Sequence, residues 1–470
     1  MNGQRAAQRR PKIGLLGIMQ ELYDEMIPGI TDHQARYAIG LADRLSEAAE
    51  VVFTAPACNR EDVERRVGEL LGRGVDGIAI VMLTYGPALR SVRALLGAPV
   101  SLSLLNVQPE RTVTAAWDMA DLTYNQGIHG AQDQANALVR AGLPFSVITG
   151  EWRSGRFAED FADWARAAQA VAGLRRARVA LLGYPMNGMG DVLFDQQSFL
   201  RRLGPAIVNE NLGKLVALVQ EVDDAEAEAL AASHHERFAV APDLPRERHL
   251  YACRLELAIR ALLTYNGYQG FSFHFDSFGG DGRFEQLPLL AASDLMADGY
   301  GYAAEGDTST ASLMCAAQMM IGDAHFSEMY AMDWERDSVL ISHMGEGNWR
   351  IARSDRQVRL IDRELGIGGL DNPPTPVFSA RPGPATIAAL VSLDGGRFRM
   401  LTARGEVLDT PELPGVEMHH FHFRPRAGME PFIDAWLRLG GPHHFVLNLG
   451  EHTARWRRLA ELLEFAYREI

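Results

Sequence analysis

The first third of the chain alternates short apolar runs with helical patterns, and this alternation restricts the folds open to it. The apolar runs lie at 12–18, 51–56, 77–83 and 99–105, and the helical patterns lie between them at 33–49, 60–73 and 86–96. Runs of this kind are typical of strands that are buried on both faces of a sheet. Strands that alternate with helices predict a parallel, doubly wound sheet.

In such a sheet, ligands bind beyond the carboxyl ends of the strands. The segments "MQELYDE" and "NVQPE" follow the first and fourth predicted strands, so we expect them to line a crevice there.

A second α/β unit is predicted to begin near residue 174. Its predicted strands are 177–183, 237–242 and 270–275, and its predicted helices are 194–203 and 246–268. The segment 286–330 has the pattern of a mixed helix and loop region.

After about residue 335 the pattern changes to strands separated by glycine and proline turns. The predicted strands are "SVLISHM", "TIAALVSL", "RFRMLTARGEV", "VEMHHFHF" and "HFVLNLG", followed by one closing helix, "ARWRRLAELLEFAYREI". Strands at this spacing predict an antiparallel barrel or sandwich.

Length and charge limit the classes of function. A chain of 470 residues predicts two to four domains. Its net charge of −14 argues against a nucleic-acid partner, because such partners are held by neutralising phosphates. No apolar run approaches the length that crosses a bilayer, and the apolar run that follows the basic first eleven residues leads to no small-residue cleavage site. We therefore expect a cytoplasmic protein without a membrane partner.

The three cysteines, Cys58, Cys253 and Cys315, are far apart and form no C-x-x-C motif. This pattern predicts neither a disulfide framework nor a thiolate zinc site.

Carboxylates and imidazoles near the predicted strands are the candidates for chemistry. Glu305 lies in a glycine-rich loop, Glu328 and His343 flank an apolar strand, and His443 and His444 precede another strand. A mixed oxygen and nitrogen ligand set suits a divalent ion such as Mn²⁺. The spacings of 23, 15 and 101 residues match no short metal motif, so each residue by itself is more often an ordinary solvated or hydrogen-bonded group. Alternation along a strand predicts that at most one of the two histidines joins the site.

Two further histidine segments carry weaker signals. "YNQGIHGAQD" places His129 at the start of a predicted helix between Gly127 and Gly130, which permit close backbone approach. "MHHFHF" at 418–423 divides its histidines between two strand faces, so we interpret it as structural or surface.

Taken together, these motifs resemble the L-arabinose isomerase family, within the wider L-arabinose and L-fucose isomerase grouping. "GYGYAAEGD", "FSEMY", "SHMGE" and "GGPHHFVLNL" occur in the family's order and approximate spacing. "QELY" resembles the family's Gln-x-Leu-Tyr, "NQGIHG" its Asn-Gln-x-x-His-Gly, and "EQLPLLAASDLMADGYGYAAEGD" a long characteristic block.

The resemblance implies three domains: Rossmann-like α/β domains at 1–173 and 174–326, and a β-barrel domain with a closing helix at 327–470. It also implies a Mn²⁺-dependent aldose–ketose isomerase, with Co²⁺ or Mg²⁺ as alternatives, that assembles as a homotrimer or homohexamer. By residue-to-residue match, four residues would hold the metal: Glu305, Glu328, His343 and His444. Three would lie near the sugar: Gln20, His129 and Met186.

The implied chemistry explains the residue types. A carboxylate must take a proton from one sugar carbon and return it to its neighbour, and we assign Glu305 and Glu328 this acid–base role. Asp24 stands where the family usually has glycine, which leaves the sugar open between L-arabinose, D-galactose and another pentose or hexose. The alternatives are a metal-dependent hydrolase or epimerase, and a non-catalytic sugar-binding or regulatory protein.

Overall fold

The computed structural model describes residues 9–470, so residues 1–8 of the predicted first domain lie outside the described residues. The chain divides into two compact units. The first unit contains residues 9–173 and 454–465, and the second unit contains residues 174–453 and 466–470.

The first unit is built on a parallel sheet with the strand order β2-β1-β3-β4-β5. Every residue of β3 is buried, which is the reason its sequence is continuously apolar. The elements of this part are β1 Lys12–Ile18, α1 Leu22–Met26, α2 Ile30–Leu45, β2 Glu50–Val52, α3 Arg60–Gly72, β3 Gly77–Met82, α4 Leu89–Leu96, β4 Ser101–Asn106, α5 Met119–Tyr124, α6 Gly127–Arg140, β5 Phe145–Thr149 and α7 Gly155–Leu174.

The second unit begins with a parallel sheet of order β10-β9-β6-β7. The elements of this part are β6 Arg178–Leu182, α8 Gln196–Arg202, β7 Ala206–Glu210, α9 Leu212–Glu221, α10 Asp224–Arg237, β8 Ala239–Val240, α11 Arg246–Asn266, β9 Gly270–Phe273, α12 Leu289–Ala297, β10 Gly301–Ala304 and α13 Thr308–Met320. The predicted strand 237–242 is wrong in length and partner, because only β8 is paired and it joins a separate small sheet.

The remainder of the second unit is a mostly antiparallel sheet of order β15-β18-β11-β12-β17-β16-β19, in which β15 also pairs with β16. Its elements, with the two other strands of the small sheet, are β11 His325–Asp333, β12 Ser338–Ser342, β13 Arg359–Asp362, β14 Pro374–Val377, β15 Gly383–Ser392, β16 Phe398–Val407, β17 His420–Pro425, α14 Met429–Arg438, β18 Phe445–Leu449 and β19 Ala466–Glu469. Helix α15 Thr453–Leu462 precedes β19 in the chain, and all of it but Thr453 belongs to the first unit. The predictions of parallel sheets in the N-terminal part and of an antiparallel sheet in the C-terminal region are thus confirmed.

The single closing helix predicted for the C-terminus is wrong. Helix α15 ends at Leu462, and Glu464 has a φ of 55°, which turns the chain into strand β19. β19 then pairs in parallel with β16. Residues 454–465 belong to the first unit, where Arg455 pairs with Asp163 at 2.9 Å. Helical periodicity continued past Leu462, but the pairing with β16 decided the conformation of the last residues.

Among residues 9–470, no helix is both long and apolar enough to span a membrane.

Candidate functional site

Glu305 occupies a strained turn at the carboxyl end of β10. Its φ is 60°, a left-handed conformation that is uncommon for a residue with a side chain and that clusters at functional sites. A Cβ on the next residue, Gly306, would lie 2.4 Å from the carbonyl oxygen of Tyr184, so only glycine fits there. The Glu305 carbonyl accepts a hydrogen bond from the backbone N–H of Met186 at 2.9 Å. The loop at 183–191 therefore holds the turn that presents Glu305.

Strand register brings Glu328 between the histidines. Glu328 lies in β11 opposite Ser342 of β12, and His343 follows Ser342 directly. On the other side of β11, Ser327 is paired with Phe445 of β18. This pairing brings His444, the residue before Phe445, next to Glu328, whose carboxylate lies 3.3 Å from its Nε2 atom. Residues more than one hundred positions apart in the chain thus become neighbours across one sheet.

Four side chains converge at this edge, and their ligand atoms all lie within 4.8 Å of one another: Glu305, Glu328, His443 and His444. The Nε2 atom of His444 lies 3.3 Å from a carboxylate oxygen of each glutamate. The Nε2 atom of His443 lies 3.8 Å from Glu305 and 3.6 Å from Glu328. His343 adds its Nε2 atom at 3.9 Å from Glu328.

The prediction that His443 and His444 face opposite sides of a strand is wrong. Strand β18 begins only at Phe445, so the alternation of a pleated strand does not apply to the two residues before it. Their rings lie 4.0 Å apart, centroid to centroid, and both approach the glutamates.

Further carboxylates contact the Nδ1 atoms of the histidines, the ring nitrogens that do not approach the glutamates. Asp307 lies 3.0 Å from Nδ1 of the fully buried His444, and Asp191 lies 2.6 Å from Nδ1 of His443. Since a carboxylate accepts but does not donate, it keeps a proton on Nδ1, so Nε2 is the nitrogen that offers a lone pair to a ligand once its own proton is lost.

Glu346 is the corresponding carboxylate for His343. It lies 3.2 Å from Nδ1 of His343, and its other oxygen accepts a hydrogen bond from Tyr302 at 2.7 Å. Sequence reasoning missed Asp307, Asp191 and Glu346. Only Asp307 carried a signal, because aspartate before "TST" is a helix N-cap pattern.

The buried polar atoms of the site lack partners within the chain. Nε2 of His444, Oε2 of Glu305 and Nε2 of His343 are buried without a hydrogen bond of good geometry. Buried polar groups are normally satisfied, so several such atoms at one point favour an additional ligand. Two carboxylates with two or three imidazoles are a donor set that divalent ions accept.

The same charges shift the proton affinities of the site. Burial raises the pKa of Glu305, but the neighbouring imidazoles of His443 and His444 lower it by more, so its net pKa lies well below the ordinary value. Burial lowers the pKa of His444, but Asp307, Glu305 and Glu328 raise it well above the ordinary value. The negative potential that favours a protonated His444 also favours a cation at the same point.

An apolar recess borders Glu305 and His343, and its walls include Phe273, Leu287 and Leu289. Apolar walls exclude water and so strengthen electrostatic interactions beside them.

Gln20 and His129 belong to the first unit. Gln20 is half-buried after β1, and the exposed His129 stacks on Tyr85 at the start of α6. A Cβ on Gly127 would lie 2.6 Å from the carbonyl oxygen of Met82, so the close approach that this glycine permits is to the chain's own backbone. The sugar contacts of Gln20, His129 and Met186 stay predictions, as do the metal ligands Glu305, Glu328, His343 and His444.

The "MHHFHF" segment is buried and not on the surface. The Nδ1–H of His420 donates a hydrogen bond to the carbonyl of Met418 at 2.9 Å, and Nδ1 of His422 lies 3.1 Å from the Ser338 hydroxyl. These contacts are structural.

Comparison with known proteins assigns the chain to a family. Three family models match: the L-arabinose isomerase N-terminal domain at residues 9–176, the central domain at 178–323 and the C-terminal domain at 323–466. The L-arabinose isomerase of Nocardioides sp. is 32% identical over 94% of this chain and 90% of its own length. That of Acidothermus cellulolyticus is 27% identical over the same shares, and that of Escherichia coli K12 is 28% identical over 82% of this chain and 79% of its own length.

Among solved structures, a periplasmic solute-binding protein from Actinobacillus succinogenes aligns with 66% of this chain and 90% of its own at 13% identity. Its TM-score of 0.18 is too low to inform the fold. The three family models together span almost the whole sequence, and the chain belongs to the L-arabinose isomerase family of sugar isomerases.

Proposed function

We propose that this protein is a metal-dependent aldose–ketose isomerase that interconverts L-arabinose and L-ribulose, with D-galactose and D-tagatose as a second pair. The observation that carries the proposal is the convergence of Glu305 and Glu328 on the unpartnered Nε2 atom of His444, each at 3.3 Å. Membership of the L-arabinose isomerase family supports the choice of sugar.

The proposed metal ligands are Glu305, Glu328, His343 and His444. A bound divalent ion, Mn²⁺ in first place and Co²⁺ or Mg²⁺ otherwise, supplies Lewis-acid polarisation of the sugar oxygens. The side chain of His443 is 36% exposed and faces the same point, which suits a contact with a sugar oxygen.

The two glutamates are the proposed acid–base pair. One carboxylate takes the proton from C2 of the aldose and returns it to C1, while the other moves the proton between the two oxygens. Their low pKa values keep both ionised at neutral pH, the state in which a base can accept the C2 proton. The apolar wall beside Glu305 limits competing proton exchange with water.

The experiment is ketose formation from a panel of aldoses by chelator-treated protein, with and without added Mn²⁺. Glu305→Gln and Glu328→Gln should each lower kcat by at least about 100-fold, because general acid–base groups contribute on the order of 10²–10⁴. Glu430→Gln, in the first turn of the peripheral helix α14, is the matched control and should keep full turnover. Near-full activity in both site variants would refute the assignment.

The same panel distinguishes the alternative functions. A hydrolase would consume water and an epimerase would return an aldose, whereas the proposed enzyme forms a ketose. A sugar-binding protein would show metal-dependent sugar affinity without turnover of any sugar in the panel.

We further propose that the antiparallel sheet closes as a barrel and that the protein forms a homotrimer or homohexamer. The additional β15–β16 pairing supports the barrel. Exposed apolar side chains in the first unit support association, among them Val113 and Met119, each 74% exposed. Native mass spectrometry tests the assembly directly, and a monomer at micromolar concentration would refute it.

A further inference from the structure

A second group of potential metal ligands lies in the second unit, formed by residues other than the proposed isomerase ligands. His234, His249 and Cys253 are all buried, and their ligand atoms lie within 4.8 Å of one another. Nδ1 of His234 is 2.8 Å from Nε2 of His249 and 3.8 Å from Sγ of Cys253. The proposed isomerase chemistry uses none of these three residues.

Two helices bring the group together. His249 and Cys253 are four residues apart on α11, so their side chains lie one above the other on the same face of the helix. His234 lies in the last turn of α10, whose contacts with α11 place its ring 5.1 Å from that of His249. The cysteine spacings in the sequence did not indicate this arrangement, because the ligands come from two helices and two residue types.

A buried carboxylate orients His234 as carboxylates orient metal-bound histidines. Asp294 of α12 lies 2.9 Å from Nε2 of His234, and its other oxygen accepts a hydrogen bond from Nε1 of Trp349 at 2.6 Å. The proton of the imidazole is therefore held at Nε2, and Nδ1 presents its lone pair to His249 and Cys253. Oε2 of the buried Glu256 also lies 3.9 Å from Nε2 of His234.

The thiol of Cys253 makes only a long contact within the group. His249 Nε2–H and the Cys253 thiol both face the single lone pair of His234 Nδ1. One lone pair accepts one strong hydrogen bond, so the thiol at 3.8 Å is left with a weak contact. A cation between the three atoms would take an electron pair from each of them.

We propose that His234, His249 and Cys253 form a second metal site, for a thiophilic cation of the Zn²⁺ class. Binding releases the thiol proton of Cys253 to solvent and moves the proton of His249 from Nε2 to Nδ1, and no redox step is involved. A tetrahedral zinc ion requires separations of roughly 3.3 Å between nitrogens and 3.6 Å between nitrogen and sulfur, so the two imidazoles must part by about 0.5 Å. A thiolate ligand distinguishes this site from the oxygen and nitrogen donors of the isomerase site, which suit Mn²⁺.

The test uses Co²⁺ as a spectroscopic probe for zinc. Because the site is sealed from solvent, the full-length protein is produced in medium supplemented with Co²⁺, so that the ion enters during folding. A cobalt ion bound by Cys253 gives a thiolate-to-metal charge-transfer band, which a cobalt ion at Glu305 and Glu328 cannot give. We expect the wild type to show this band. About one equivalent of cobalt per chain should be bound at the site, and a chelator should remove it only slowly.

Cys253→Ser should abolish the band, and His249→Gln should weaken or abolish it. Cys58→Ser, at a half-buried cysteine of the first unit, is the matched control and should keep it. The readout is independent of turnover, so it stands whether or not the isomerase proposal holds. If Cys253→Ser does not fold, the wild type and His249→Gln still decide the question. A wild-type protein without the band, both from Co²⁺ medium and after refolding with Co²⁺, would overturn the proposal.

Discussion

Asp307 uses its two carboxylate oxygens for two different tasks, and an Asp307→Asn substitution separates them. Oδ1 accepts a hydrogen bond from the backbone N–H of Thr310 at 2.9 Å and so caps helix α13. Oδ2 holds Nδ1 of His444 at 3.0 Å. Asparagine can retain the cap through its amide oxygen, but it then presents an NH₂ group to the imidazole.

The consequence is a change of tautomer in His444. Facing a donor, Nδ1 must become the acceptor, and the proton moves to Nε2, the atom 3.3 Å from Glu305 and Glu328. The lone pair proposed to bind the metal is then lost. Outer carboxylates of this kind contribute about 10–100-fold to metal affinity, which corresponds to roughly 1.4–2.8 kcal/mol.

The assay is titration of the apoprotein with Mn²⁺ by isothermal calorimetry, together with urea unfolding. Asp307→Asn should raise the Kd for Mn²⁺ by about 10–100-fold. Asp307→Ala should also lose the cap and be less stable than Asp307→Asn by about 1 kcal/mol. Asp195→Asn is the matched control, because Asp195 caps α8 through Ser198 without contacting a histidine, and its Kd should be unchanged. Wild-type Mn²⁺ affinity in Asp307→Asn would refute the reasoning.

Two further predictions concern pH and glycine. Burial lowers the pKa of His444, but Asp307 and the two site glutamates raise it well above its ordinary value, so a proton competes with the metal even at neutral pH. The Kd for Mn²⁺ should rise up to about tenfold per unit as the pH falls below that raised pKa, with proton release on binding, and a Kd independent of pH would contradict this. Gly127→Ala should lower the free energy of unfolding by about 1–3 kcal/mol, because its Cβ would lie 2.6 Å from the Met82 carbonyl oxygen. Gly68→Ala, inside α3 with nothing within 4 Å of its Cβ, should raise the free energy of unfolding by about 0.5–1 kcal/mol. If urea denaturation gave the same change in unfolding free energy for both variants, the packing argument would be contradicted.

Local patterns in the sequence were sufficient for the elements and for the class of sheet. The continuous apolar run of β3 and its helical neighbours predicted a parallel sheet, since burial on both faces leaves no polar alternation. Patterns failed where a distant partner decided the conformation. Residues 466–469 continue a helical pattern but form β19, because they pair in parallel with residues 399–402 of β16.

The chemistry of the site was visible as residue types, and the family resemblance selected which residues to consider. Spacing alone could not select them, because Glu328 and His444 meet only through the register of β11 against β18. The carboxylates Asp307 and Asp191 were not predicted for the same reason, because each is more than one hundred residues away in the sequence from the histidine it contacts.

What the sequence by itself determined is the alternation of strands and helices, the change to antiparallel strands after residue 335 and the presence of carboxylates and imidazoles able to bind a divalent ion. These features depend on neighbours within one or two turns of the chain, where periodicity reports burial. Only the tertiary structure decided that His443 and His444 both face the glutamates, that Asp307 fixes the tautomer of His444, and that His234, His249 and Cys253 meet between two helices. Such convergence depends on strand register and helix packing, which arise from contacts between residues far apart in the sequence.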